Sequence, residues 1–127
     1  MERIYKLNGI EMIKMVDLFC GAGGFTEGFK KSGDFLHVFA NDIDPQAIQT
    51  FAFNHPEIPT ICKDITSFKE SEITELSNDN QVDLIVGGPP CQGFSIAGQR
   101  IADDPKNKLF IDYMKMVKVL CPKFIIF

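Results

Sequence analysis

The sequence predicts an α/β fold: a doubly wound parallel β-sheet with helices on both faces. Three observations carry that expectation. Short apolar runs alternate with segments of helical period along most of the chain, which is how a βαβ sheet is written. The segments that follow the apolar runs are rich in glycine, aspartate and proline, as expected where strands end at a ligand edge. The chain has 127 residues, 45% hydrophobic and 24% charged, enough for one core and not two.

Taken in order, Ile13-Lys14-Met15-Val16-Asp17-Leu18 reads as a buried first strand ending in a glycine turn. Gly24 to about Lys31 reads as a short helix stopped at Ser32-Gly33. Leu36-His37-Val38-Phe39-Ala40 is the second strand, and Pro45 opens a helix that runs to about Asn54. Pro56 and Pro59 break the pattern before Thr60-Ile61-Cys62, a weak third strand. Glu70 to Leu76 is helical, and Ser77-Asn78-Asp79-Asn80 is a turn cluster. Val82-Asp83-Leu84-Ile85-Val86 is the fourth strand, followed by a long Gly- and Pro-rich segment from Gly87 to Asn107. Leu109, Phe110, Tyr113, Met116, Val117 and Leu120 recur at helical spacing, and Phe124-Ile125-Ile126-Phe127 is a fifth strand.

Several function classes are excluded or narrowed by composition. No apolar run approaches the roughly 20 residues that span a membrane, and the N-terminus lacks a signal-peptide pattern. A cytoplasmic location is expected. Net charge is −4, so a nucleic-acid role must rest on a local patch or on chain beyond this sequence. The four cysteines, Cys20, Cys62, Cys91 and Cys121, form no C-x-x-C pair, so no metal site is expected. Cys20, Cys62 and Cys121 read as small buried hydrophobes.

The chemistry-bearing residues lie after the strands. Gly21, Gly23 and Gly24 follow the first strand and allow close backbone approach to a ligand. This is not the G-x-G-x-x-G pattern, and a plain strand-to-helix turn is the competing reading. Asp42, about twenty residues beyond that turn, stands where a ribose diol is held in nucleotide-like sites. Asp44, just before Pro45, reads as a helix cap. Asp64 follows the third strand; spacing alone leaves it either a turn cap or an acceptor for an adenine amino group. After the fourth strand comes Gly87-Gly88-Pro89-Pro90-Cys91-Gln92-Gly93-Phe94-Ser95, where two prolines stiffen the backbone ahead of a cysteine at the ligand edge.

That string, together with Asp17-Leu18-Phe19-Cys20-Gly21-Ala22-Gly23-Gly24-Phe25, resembles the DNA cytosine-5 methyltransferases, from about Met15 to Phe127. The resemblance implies the methyltransferase version of the doubly wound sheet, here incomplete, with S-adenosylmethionine (S-adenosyl-L-methionine) as cofactor. It implies that Phe19 stacks on adenine and that the backbone of Phe19, Cys20, Gly21, Ala22, Gly23 and Gly24 holds the methionine part. Asp42 would bind the ribose hydroxyls, with Ile43 packed on the adenine. Asp64 would accept from the adenine amino group with Ile65 beside it, and Pro89 and Leu109 would line the pocket. Cys91 would be the nucleophile that attacks C6 of a flipped cytosine, activating C5 for methylation. Pro90, Gln92, Ser95, Gln99 and Arg100 would meet the substrate; Lys106 is a further candidate contact, and for Arg100 and Lys106 a solvated loop charge is the competing reading.

DNA is the implied partner, in the setting of restriction–modification, with nucleoid association in a bacterium. RNA methylation within the same family is an alternative, and so is a non-catalytic fragment that needs a complementing chain. The family's Glu-Asn-Val motif and its target-recognition region lie beyond Phe127. Residues 1–127 are therefore expected to form the N-terminal part of a catalytic domain, inactive alone and weak or lacking in cofactor binding. A truncated product, a cloned fragment and one part of a split enzyme remain open readings. The family's strand order, resembling 3-2-1-4-5-7-6, would leave the fifth strand an apolar edge, so self-association or a complementing chain is expected at residues 109–127.

Overall fold

A computed structural model describes residues 6–7, 9–78, 81–89 and 105–127. Two short strands, β1 (Lys6–Leu7) and β2 (Ile10–Glu11), pair antiparallel as a small hairpin that the apolar periodicity did not announce. The main sheet is built from β3 (Ile13–Leu18), β4 (Phe35–Asp42), β5 (Thr60–Cys62), β6 (Leu84–Gly87) and β7 (Phe124–Ile126). Its order is β5-β4-β3-β6-β7, and every neighbouring pair is parallel. This is the predicted doubly wound sheet, with the order expected for its first five strands.

Helices α1 (Gly24–Ser32), α2 (Pro45–Asn54), α3 (Glu70–Ser77) and α4 (Pro105–Leu120) make the crossovers, with a 3-10 turn at Ile65–Ser67. The strand period sorts their contacts onto two faces. Val16, Leu18, Phe39 and Ile85 point one way, into a core with Ile73 of α3 and Tyr113, Met116 and Leu120 of α4. On the other side Ala40 meets Phe51 of α2, and Met15, Leu84 and Val86 pack against Phe29 of α1. The central strand β3 is covered on both faces, so its apolar residues run almost continuously rather than alternating.

Asp83 ties the end of the sheet away from the glycine turn. Its carboxylate accepts from the Lys14 backbone at 3.0 Å and pairs with Lys123 at 2.7 Å, and its carbonyl accepts from the amides of Lys123 and Phe124.

Two expectations are corrected. Cys20 is buried, but Cys62 and Cys121 are exposed: Cys62 sits in the three-residue β5 at the sheet's edge, and Cys121 follows the last turn of α4. And α4 begins at Pro105, inside the segment expected to be loop. Its first turn is polar, so the apolar period starts one turn late, while proline suits a first helical position. Among the described residues no helix is long and apolar enough to cross a membrane.

Candidate functional site

The carboxyl ends of β3, β4 and β5 form one rim, and the backbone there is shaped for close approach. Gly23 caps α1 at φ 100, and a Cβ on it would stand 3.0 Å from both the His55 ring and Phe51. Gly87 ends β6 so close to β3 that a Cβ would meet the Leu18 carbonyl at 2.7 Å. Phe19 has φ 54, a left-handed conformation uncommon outside glycine, at the first position after β3. Its ring is half-buried, 6.4 Å from that of Tyr113.

Asp42 closes the turn from the neighbouring strand. One carboxylate oxygen accepts from the Gly21 amide at 2.8 Å, and the other from the Asp44 amide at 2.9 Å. The glycine turn and Asp42, 21 positions apart in the chain, are thus joined directly by the fold. Asp44 caps α2 as expected, accepting from the Gln46 amide at 2.9 Å. Asp64 caps the 3-10 turn by accepting from Thr66 at 2.9 Å through Oδ1; its Oδ2 has no partner among the described residues. Ile43 is 60% exposed, an apolar side chain presented at the rim. Ile65 is buried in the core, so its side chain does not line that surface. Gly24 and Ala22 are exposed, Pro89 is buried, and Leu109 is half-buried against the core. Cys91, Pro90, Gln92, Ser95, Gln99 and Arg100 lie outside the described residues.

The rim is electronegative from below as well. Asp17 is fully buried and accepts from the Thr26 hydroxyl at 2.8 Å, while its Oδ1 has no partner among the described residues. Burial pushes its carboxyl up to about 6 against the Thr26 hydrogen bonds, with the Asp42 charge adding to the rise. Burial, then Asp17 and Asp42, push the Cys20 thiol up to about 12, so Cys20 is inert at neutral pH. Tyr113 is raised to about 12 by burial and by Asp17, and its hydroxyl also has no partner among the described residues. Neither Asp17 nor Tyr113 carried a site role on sequence alone; a carboxylate between Val16 and Leu18 in a strand was the available signal for Asp17.

An acidic rim, an exposed apolar side chain, a turn in left-handed conformation and carboxylates beside backbone amides suit a cationic, nucleoside-bearing ligand. The C-5 cytosine-specific DNA methylase family model matches residues 13–127, and the chain belongs to that family. It is 43% identical over 114 residues to the type II methyltransferase M.DdeI of Desulfomicrobium norvegicum, covering 90% of this chain and 27% of that protein. It is 40% identical to the type II methyltransferase M1.HphI of Haemophilus parahaemolyticus, covering 87% of this chain and 30% of that protein. The crystal structure of a prophage-encoded protein from E. coli, described as a DNA modification methyltransferase, matches with a TM-score of 0.71 and 36% identity, over 87% of this chain and 30% of that one. The chain thus spans under a third of the length of these relatives.

Proposed function

We propose that this chain carries the S-adenosylmethionine-binding half and the nucleophile of a cytosine-C5 DNA methyltransferase. The observation that supports this most is the bond from the Gly21 amide to Asp42, which joins the glycine turn to the acidic residue that follows β4. The residues present fit the cofactor. Phe19 and Ile43 offer apolar surface to adenine, and Asp42 takes the ribose hydroxyls while holding Gly21. Asp64 keeps one oxygen for the adenine amino group. The backbone of residues 19–24 takes the methionine part, and the negative charge of Asp17 and Asp42 favours a cation there.

When bound, S-adenosylmethionine supplies an electrophilic methyl group on a sulfonium. The chain's own step belongs to Cys91: its thiolate forms a bond to C6 of the cytosine, and the C5–C6 electron pair moves to C5. Once C5 carries the methyl group and a base has taken the C5 proton, the electrons of that C–H bond re-form the C5–C6 double bond and Cys91 leaves as a thiolate. The base must be extruded from the duplex for that attack.

Because the chain spans under a third of its relatives, methylation is assigned to this chain together with the remainder of such a protein. The 127 residues alone are expected to leave duplex DNA unlabelled when incubated with S-adenosylmethionine carrying a labelled methyl group. Labelling that disappears in Cys91→Ser would overturn inactivity of the isolated chain; labelling that survives Cys91→Ser would overturn the nucleophile assignment.

A further inference from the structure

We propose that Asn41 is a positioning residue that sets the spacing of the nucleoside-binding rim, holding three loops in register; this rests on the cofactor reading above. Asn41 is 2% exposed and is the penultimate residue of β4, directly before Asp42. It pairs in register with Leu18 of β3 on one side and Ile61 of β5 on the other. Its backbone carbonyl accepts from the Cys20 amide at 3.0 Å, which fixes the start of the glycine turn. Its side-chain amide donates to the carbonyls of Ile61 and Lys63, each at 2.9 Å.

Both neighbours of that amide are carbonyl oxygens, so only the nitrogen can face them, and both of its protons are used. Ile61 and Lys63 flank Cys62 at the end of β5, and Lys63 directly precedes Asp64. The Lys63 amide also donates to the Asp42 carbonyl at 3.0 Å. Asn41 therefore joins the segment bearing Asp42 to the segment bearing Asp64, while its own carbonyl holds the turn that begins at Phe19. Among the described residues, Asn41 is the side chain that bonds to the carbonyls of both Ile61 and Lys63. A hydrophobic residue of the same volume would leave those carbonyls without their donor and release the β5 segment. The distance between Asp42 and Asp64, and with it recognition of a ribose and an adenine at once, would no longer be fixed.

The test uses the isotope-labelled 127-residue chain with adenosine as probe, since NMR reads even weak binding. Adenosine is expected to shift the amides of residues 19–24, 42–43 and 64–65 in the wild-type chain. In Asn41→Leu its affinity is expected to fall about tenfold, the loss of one or two buried hydrogen bonds. The amides of Lys14, Asp83 and Phe124 at the far end of the sheet should keep their wild-type shifts, which a general loss of structure would not allow. Asn41→Asp, of equal volume but without the donors, should lose adenosine in the same way. In the wild type, the Asn41 side-chain amide protons should exchange more slowly with solvent once adenosine is bound, a measurement that stands even if neither variant folds. Wild-type affinity in a folded Asn41 variant, or amide exchange unchanged by adenosine, would overturn the proposal alone. Adenosine-dependent shifts in the wild type centred away from residues 19–24, 42–43 and 64–65 would overturn the cofactor reading beneath it.

Discussion

Asp17 has no exposed surface, one oxygen held by Thr26, and a carboxyl raised to about 6. Its folded pKa lies above the ordinary value of 3.8, so the protonated form favours the fold. That contribution is complete below pH 3.8 and is lost as pH rises through about 6. Asp17→Asn is therefore expected to be more stable than the wild type at pH 7.5 by about 1–3 kcal/mol, a gain that shrinks to nothing in acid. His37 runs the other way. Burial first, then His55 and Lys30, lower it from 6.5 to about 4, so its contribution is present above pH 6.5 and lost as pH falls through about 4. Urea titrations across this range should show Asp17→Asn losing more stability on acidification than the wild type, and His37→Gln losing less. At this scale the sequence identified Asp44 as a cap, because a proline after an aspartate marks a helix start. It did not reveal that Cys62 is exposed, since burial depends on which strand lies at the edge. Asp44→Ala is expected to cost about 1 kcal/mol in stability, the loss of a helix cap, with adenosine binding unchanged.

Among the elements, the turn from β3 into α1 is the most constrained. Gly23 has φ 100 and no room for a Cβ against Phe51 and His55. His55 is itself held, with Nδ1 3.2 Å from the Lys30 ammonium and its ring 5.0 Å from that of Phe51. Gly23→Ala is expected to destabilise the chain by about 2 kcal/mol or more, adding left-handed strain to a clash, and to weaken adenosine binding beyond detection. Thermal denaturation and the adenosine titration check the two halves of that expectation separately. Strands β3, β4 and β6 and helices α1 and α2 were legible because their apolar runs, glycine stops and proline starts agree with the final packing. The hairpin of β1 and β2 was not, because strands of two residues carry no period. The 3-10 turn at Ile65–Ser67 was hidden for a similar reason: its signal is the single cap from Asp64.

For the whole molecule, β7 is an edge of the described sheet and bears a broad apolar surface. Phe124 is 70% exposed and Phe127 68%, with Ile126 at 43% beside them. Burying the two phenylalanines would contribute roughly 1.5–3 kcal/mol each. The 127-residue chain is therefore expected to self-associate through this edge, with a light-scattering mass that rises with concentration and falls toward the monomer in Ile126→Lys. A monomer at every concentration would refute that expectation. The family was legible in the strings Asp17–Phe25 and Gly87–Ser95, and the parallel sheet in the alternation of apolar runs with helical segments, which locates the strand ends. The coupling between those ends was not, since it depends on Asn41 and Asp42 reaching across strands. The central claim is that this rim binds S-adenosylmethionine, and its most direct test is an amide-resolved titration of the wild-type chain and Asp42→Ala with that cofactor. The account predicts perturbations confined to residues 19–24, 42–43, 64–65 and the neighbourhood of Leu109 in the wild type, and their loss in Asp42→Ala. Perturbations centred elsewhere, or binding by Asp42→Ala equal to the wild type, would contradict it.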